Sequence, residues 1–178
     1  GRWADGVAAV HQAALACESA LADRQRAHIR DIAARLAHVE HLFTIGRGVH
    51  FASALEAALK IKEVSYIHAE GFAAGELKHG VIALVESGTP CVVFAPCDDT
   101  RTDVISGAAE LRSRGAFVIG IGSEIDPVFD EFIPTPDAGL ANPIAQAVAG
   151  QLLGYEFAIA RGNDHDRPRN LAKRVTVK

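Results

Sequence analysis

Three charged residues in one apolar stretch have the spacing that brings side chains together on a helix. Glu56, Lys60 and Glu63 occupy positions i, i+4 and i+7, which share one helical face. Such a stripe is commonly a solvated surface, with Glu–Lys pairs worth roughly 0.3–0.5 kcal/mol each. Most residues around it are alanine, leucine or isoleucine, however. In a partly dry pocket, a carboxylate beside a cation serves as a proton-transfer group.

Two further candidates lie outside this stretch. His79 stands in a glycine-flanked segment, residues 75–80, where an imidazole is either merely exposed or functional. Lys173 stands in a polar C-terminal arm that Pro168 stiffens and that carries apolar residues to bury, Leu171 and Val175 among them. Docking of this arm would desolvate the Lys173 amine and favour the neutral form that a Schiff-base lysine requires.

Short apolar runs alternate with helical stretches and predict the elements that must position these groups. Strands that are apolar throughout indicate a mostly parallel sheet covered on both faces. We therefore predict an α/β fold, a three-layer α/β/α sandwich, with residues 68–80 irregular apart from one helical turn. The predicted helices are 5–37, 51–67, 102–114 and 142–160, and the predicted strands are 41–46, 91–95, 117–121 and an edge strand at 131–134.

Composition excludes several classes of protein. The 178 residues suffice for one compact domain, and a net charge of −4 without a basic stripe argues against nucleic acid as a partner. No apolar run reaches the roughly 18 residues of a membrane span. Three scattered cysteines predict free thiols in a reducing cytoplasm, and no Cys/His cluster indicates a metal site.

Ligands of parallel sheets bind where strands end, which directs attention to three loops. Gly46-Arg47-Gly48 lacks the third glycine of a dinucleotide loop, because Phe51 stands there, and is interpreted as a tight turn. The loop after the next buried strand contains Cys97-Asp98-Asp99, and two adjacent carboxylates would repel a phosphate. The third loop begins at Gly122-Ser123. No phosphate cradle is therefore expected in the second loop.

Three separated motifs resemble the isomerase half of glucosamine-6-phosphate synthases, also called glutamine–fructose-6-phosphate aminotransferases. The first runs from Ala54 to Glu70, the second from Ala73 to Gly80, and the third is Pro168-Arg169-Asn170-Leu171-Ala172-Lys173 followed by Val175-Thr176-Val177. They occur in the family's order, and the resemblance extends from about Leu42 to the end of the chain. It implies the sugar-isomerase (SIS) type of α/β sandwich, which is flavodoxin-like.

The resemblance assigns roles to the candidate residues. Glu63 matches the glutamate that moves a proton between sugar carbons C1 and C2, and Lys173 matches the lysine that forms an imine with the open-chain ketose. His79 matches the histidine that opens the sugar ring in the site of a neighbouring subunit. Lys60 and Glu56 match supporting residues of the same pocket. The backbone of Ala172 matches a position that lines the sugar site.

The resemblance also implies an incomplete enzyme. Residues 1–162 correspond to the second SIS lobe with a preceding helix, and residues 163–178 to a catalytic tail. The complete family enzyme converts fructose 6-phosphate and ammonia from glutamine to glucosamine 6-phosphate. We expect the isolated chain, without a glutaminase and a first SIS lobe, to be inactive. We also expect a homodimer, a sugar phosphate as ligand, and no cofactor.

Two other functions share the same lobe and stay open. One is a fructosamine-phosphate deglycase or an amino-sugar-phosphate isomerase. The other is a non-catalytic sugar-phosphate-binding SIS module, for which the Glu63 and Lys173 pair would be unnecessary.

Overall fold

Five parallel strands form the centre of the structure, a computed structural model that describes residues 2–171. They are β1 (His41–Gly46), β2 (His68–Ala73), β3 (Pro90–Phe94), β4 (Phe117–Gly122) and β5 (Glu131–Pro134), in the order β2-β1-β3-β4-β5. The helices are α1 (Arg2–Ala20), α2 (Asp23–Arg35), α3 (His50–Ser65), α4 (Arg101–Ser113) and α5 (Asn142–Ala160). Within the described residues, no helix is both long and apolar enough for a bilayer crossing.

Helices cover both faces of the sheet, and the strand side chains alternate between two cores. Helices α2, α3 and α5 bury one face, where Leu42, Val92, Phe94 and Ile119 are fully enclosed. Helix α4 and two 3₁₀ helices (Ala74–His79 and Val81–Leu84) bury the other. The predicted three-layer α/β/α sandwich is confirmed, with every strand pairing parallel.

The N-terminal helix predicted over residues 5–37 is two helices, so that prediction is wrong at its centre. The chain leaves helical geometry at Ala22, whose φ and ψ are −60° and 144°. Helix α1 packs its alanines against α5, whereas α2 buries Ile29 and Ile32 in the sheet-facing core. One straight helix could not make both contacts. Tertiary packing therefore overrides the continuous helical propensity of this segment.

The segment predicted as irregular, residues 68–80, contains the edge strand β2 and a 3₁₀ helix. Its sequence, His68-Ala69-Glu70-Gly71-Phe72-Ala73, lacks the continuous apolar run of a central strand. An edge strand has only one pairing partner, and β2 keeps just Ala69 fully buried. Strand β2 therefore forms because it pairs with β1 along its whole length, not because its sequence is hydrophobic.

Helices α3 and α5 pack closely, with the backbone of α5 against α3, because α5 has glycine at the contact. A Cβ added at Gly150 would lie 2.7 Å from the Cβ of Ala57, and one added at Gly154 would lie 3.2 Å from the backbone N of Ile61. Small residues on both sides thus set the separation and rotation of α3.

Buried polar groups fix the other end of α3. His50 Nδ1 and Gln146 Oε1 are 2.6 Å apart, and Gln146 Nε2 donates to the carbonyl of Ala95 at 2.8 Å. Thr44 Oγ1 donates to the carbonyl of Ala54 at 2.8 Å. Since an unpaired polar group costs about 1–3 kcal/mol when buried, this network holds the start of α3 against β1, β3 and α5.

The glycine contact predicts opposite effects for one substitution at two sites. Gly150→Ala should lower the free energy of unfolding by about 1–2 kcal/mol, because overpacking outweighs the gain in helix propensity. Gly6→Ala is the matched control, since a Cβ there meets nothing within 4 Å, and should raise it by up to about 1 kcal/mol. Urea denaturation measures both, and equal stabilisation would contradict the close packing.

Candidate active site

The charged stripe lies along α3 as its spacing predicts. Glu56, Lys60 and Glu63 are all half-buried, and Lys60 Nζ donates to Glu63 Oε2 at 2.7 Å. The two side chains remain 35 % and 29 % exposed, enough for a ligand to reach them. The stripe is therefore neither a fully solvated face nor part of the core.

The ion pair holds Lys60 in its charged form. The hydrogen bond to Glu63 raises the pKa of Lys60, and partial burial opposes this only in part. The charges of Glu63 and Glu56 act in the same direction as the hydrogen bond. Lys60 is thus a permanent cation at neutral pH and keeps one oxygen of Glu63 engaged.

Glu56 borders a groove between α3 and α5. Its Oε1 accepts a hydrogen bond of 2.9 Å from Gln151 Nε2. The groove has a volume of about 460 Å³, and its walls include Ser53, Ile144 and Val148. Gln151 was not predicted as a site residue, because it lies 95 positions from Glu56 in sequence and carries no motif.

The first part of the predicted tail docks beside the end of α3. Asn163 Nδ2 donates to the carbonyls of Val64 and Ser65 at 3.3 and 2.9 Å. Farther along, the backbone N of Arg169 donates to the hydroxyl of Tyr66 at 2.9 Å, and its guanidinium lies 4.1 Å from the centre of the Tyr66 ring. The tail is therefore anchored at residues 64–66, directly after Glu63 in sequence, and Arg169 of the third motif is part of this anchor.

Tyr66 makes this docking possible from an unusual backbone conformation. It ends α3 with φ and ψ of 62° and 16°, in the left-handed region that glycine normally occupies. The sequence gives no warning of this, because a tyrosine after a helix has no characteristic pattern. Its ring and hydroxyl are the parts that the tail contacts.

His79 lies on the other side of the sheet from α3. It ends a 3₁₀ helix whose Leu77 belongs to the core beneath α4, whereas the inner face of α3 belongs to the opposite core. His79 is exposed. Within one chain, the sheet therefore separates His79 from Glu63, and the structure does not bring these two predicted site residues together.

Lys173 and Ala172 lie outside the described residues, so their predicted roles are not addressed by the structure. The chain is described as far as Leu171.

The loops that follow β1 and β3 differ from a phosphate-binding loop. Gly46 allows close approach to α3, since an added Cβ would be within hard contact of the His50 carbonyl, and Gly48 has a φ of +56°. These are features of the tight turn predicted there. In the next loop, Asp98 accepts hydrogen bonds from the hydroxyl and backbone N of Thr100, which lower the pKa of its carboxyl. The loop thus holds a fixed negative charge.

Most of the chain is similar to proteins of known family. A model of the SIS domain matches residues 35–135. The chain is 48 % identical over 153 residues to the glutamine–fructose-6-phosphate aminotransferase (isomerizing) of Pyrococcus horikoshii, and 46 % identical over 152 residues to that of Thermococcus kodakarensis. Both alignments cover 84 % of the chain but 25 % of the relative, so the chain spans about a quarter of the length of these relatives.

Solved structures agree with this comparison. The C-terminal domain of glucosamine-fructose-6-phosphate aminotransferase from Francisella tularensis superposes with a TM-score of 0.75 at 35 % identity, covering 81 % of this chain and 42 % of that one. Glucosamine-6-phosphate deaminase from Thermotoga maritima gives 0.59 at 29 % identity, covering 83 % and 46 %. The resemblance inferred from the three motifs is confirmed. Since the family model spans more than half of the sequence, the chain belongs to the SIS domain family.

Proposed function

We propose that the chain is the second SIS lobe, residues 1–162, and the catalytic tail, residues 163–178, of an amino-sugar-forming enzyme. That enzyme converts fructose 6-phosphate and ammonia from glutamine to glucosamine 6-phosphate. The observation that carries the proposal is the half-buried pair of Lys60 and Glu63 on α3, with the start of the tail docked at the end of the same helix. The aminotransferase names of the relatives give the reaction.

Glu63 is the proton-transfer group in this proposal. Conversion of a ketose to an aldose removes a proton from C1 and returns one to C2, and a single carboxylate over the two adjacent carbons does both. Lys60 occupies Oε2 of Glu63, which directs proton uptake to Oε1. Glu56 on α3 and its partner Gln151 on α5 border the groove between these helices and support the pocket.

Lys173 is the proposed imine-forming residue. Its amine adds to the ketone of the open-chain sugar with loss of water, and ammonia then displaces the lysine and leaves an imine at C2. Lys173 is four positions after Arg169, which contacts Tyr66, and a chain of that length spans at most about 14 Å. In this proposal Lys173 reaches the sugar from the anchor of Arg169 at Tyr66, and the backbone of Ala172 lines the sugar site.

His79 is proposed to open the sugar ring in the site of a partner subunit. The sheet lies between His79 and Glu63 in one chain, and His79 is exposed where another subunit could meet it. A homodimer in which each subunit lends its histidine to the other resolves this separation. The isolated chain is proposed to be inactive.

The cytoplasm is the proposed location. Cys17, Cys91 and Cys97 are all free thiols, which a reducing compartment preserves.

A second candidate is an amino-sugar-phosphate isomerase or deglycase built on the same lobe. The likeness to a protein named glucosamine-6-phosphate deaminase favours it. The relatives named as aminotransferases are more similar in sequence, at 46–48 % against 29 % identity, and we therefore rank it second. Dependence of product formation on glutamine distinguishes the two.

Glu63→Gln in the full-length enzyme should reduce formation of glucosamine 6-phosphate by at least about 100-fold, because the amide cannot accept the proton. Glutamine hydrolysis should stay measurable, since that step does not use the carboxylate. Coupled assays of both products give the readout. Glu18→Gln on the exposed face of α1 is the control and should leave both rates unchanged. A small effect of Glu63→Gln would refute its role.

Mixed dimers test the exchange of histidine between subunits. Full-length subunits carrying Glu63→Gln and full-length subunits carrying His79→Ala should each be inactive alone. After equimolar mixing with subunit exchange, half of the dimers combine both chains, and each then has one intact site. About a quarter of the wild-type activity should return. If His79 acts within its own chain, no dimer has an intact site and the mixture stays inactive.

A further inference from the structure

Two histidines face each other at the amino ends of strands β1 and β2. His41 and His68 are partners in the parallel register. Their Nδ1 atoms are 3.4 Å apart, and their rings meet edge to face with centroids 5.5 Å apart. They lie 27 positions apart, so no short sequence spacing joins them. Only the sheet register brings them together.

The pair lies on the face of the sheet away from α3. The next residues along the two strands, Leu42 and Ala69, belong to the core beneath α3. Because side chains alternate along a strand, His41 and His68 project to the opposite side. The proposed chemistry of Glu63 therefore takes place on the other face, and the two histidines have no part in it.

The histidines form part of the wall of a cavity of about 700 Å³. His38, Glu40, Glu86 and Thr89 line the same cavity and make its wall polar. Both histidines are exposed, so an ion in solution has access to them.

We propose that His41 and His68 chelate a divalent transition-metal ion, of which Zn²⁺ is the representative. Zinc–nitrogen bonds of about 2.0–2.1 Å in a tetrahedral site place two ligand nitrogens roughly 3.3–3.4 Å apart. The observed Nδ1–Nδ1 distance of 3.4 Å matches that edge. In the metal-free chain the same two atoms are within the range of a long hydrogen bond, which metal binding would replace.

The site offers two protein ligands. Within residues 2–171, no group of three or more His, Cys, Asp or Glu side chains is arranged to hold a metal. Water from the cavity completes the coordination. Imidazole is a preferred ligand of Zn²⁺, Ni²⁺ and Cu²⁺, whereas Mg²⁺ and Ca²⁺ require oxygen, so the latter ions should not bind here.

Bound metal would join the edge strand β2 to β1. The edge strand has one neighbour and little buried surface of its own, so a link at its first residue restrains the part of the sheet most able to open. A ligand that binds only the folded chain also stabilises it in proportion to its concentration.

Calorimetric titration of the tag-free chain with Zn²⁺ alone tests the proposal. We expect one ion per chain, and no heat with Mg²⁺. His41→Ala and His68→Ala should each weaken binding by at least about tenfold, since loss of even an outer-shell partner typically costs 10–100-fold. His11→Ala, which removes an exposed histidine from α1, is the control and should bind as the wild type does.

The metal-free melting temperature of each variant shows that it is folded, and His68→Gln replaces His68→Ala if that variant is not. The electron paramagnetic resonance spectrum of bound Cu²⁺ should show coupling to two nitrogens, and to fewer in either variant. Equal Zn²⁺ affinity in the wild type, His41→Ala and His68→Ala would overturn the proposal. Absence of Zn²⁺ binding by the wild type would also overturn it and leave the pair as a long hydrogen bond.

Discussion

The contact between α3 and α5 is the constraint on which the candidate active site depends. Gly150 and Gly154 let α3 lie against the backbone of α5, and the hydrogen bond between His50 and Gln146 fixes the start of α3. Because these contacts set the position and rotation of α3, they fix the direction in which Glu63 projects. Groups that must move a proton need this rigidity, because a misplacement of 1 Å can reduce a rate about 100-fold.

The sequence predicted the central strands and the edge strand β5, but it missed the edge strand β2 and the break between α1 and α2. Strands β1, β3 and β4 are enclosed on both faces and appear as continuous apolar runs. Strand β2 has a partner on one side only, so its composition could remain mixed. The break at Ala22 has no proline or glycine to mark it. It follows from where α1 and α2 must dock, which is information that only the folded chain contains.

The candidate site also has a part that the sequence predicts and a part that it does not. Helical spacing places Glu56, Lys60 and Glu63 on one face because they are close in sequence. Other contacts at the site come from distant segments: Gln151, the partner of Glu56, lies 95 residues from it, and Asn163, which anchors the tail at Ser65, lies 98 residues from that residue. No local pattern marks such residues. The two histidines of β1 and β2 lie 27 positions apart and meet only through strand pairing, so no local pattern marks them either.

Tyr66 illustrates how one position can serve two opposed demands. Its left-handed backbone is strained by about 1–2 kcal/mol for a residue with a side chain, and glycine would remove that strain. Glycine would also delete the ring and hydroxyl that hold Arg169. A less strained helix end and retention of the tail are thus alternatives at this position. Such a position should resist the consensus substitutions used to engineer thermostability, and a variant selected only for heat resistance would release the tail first.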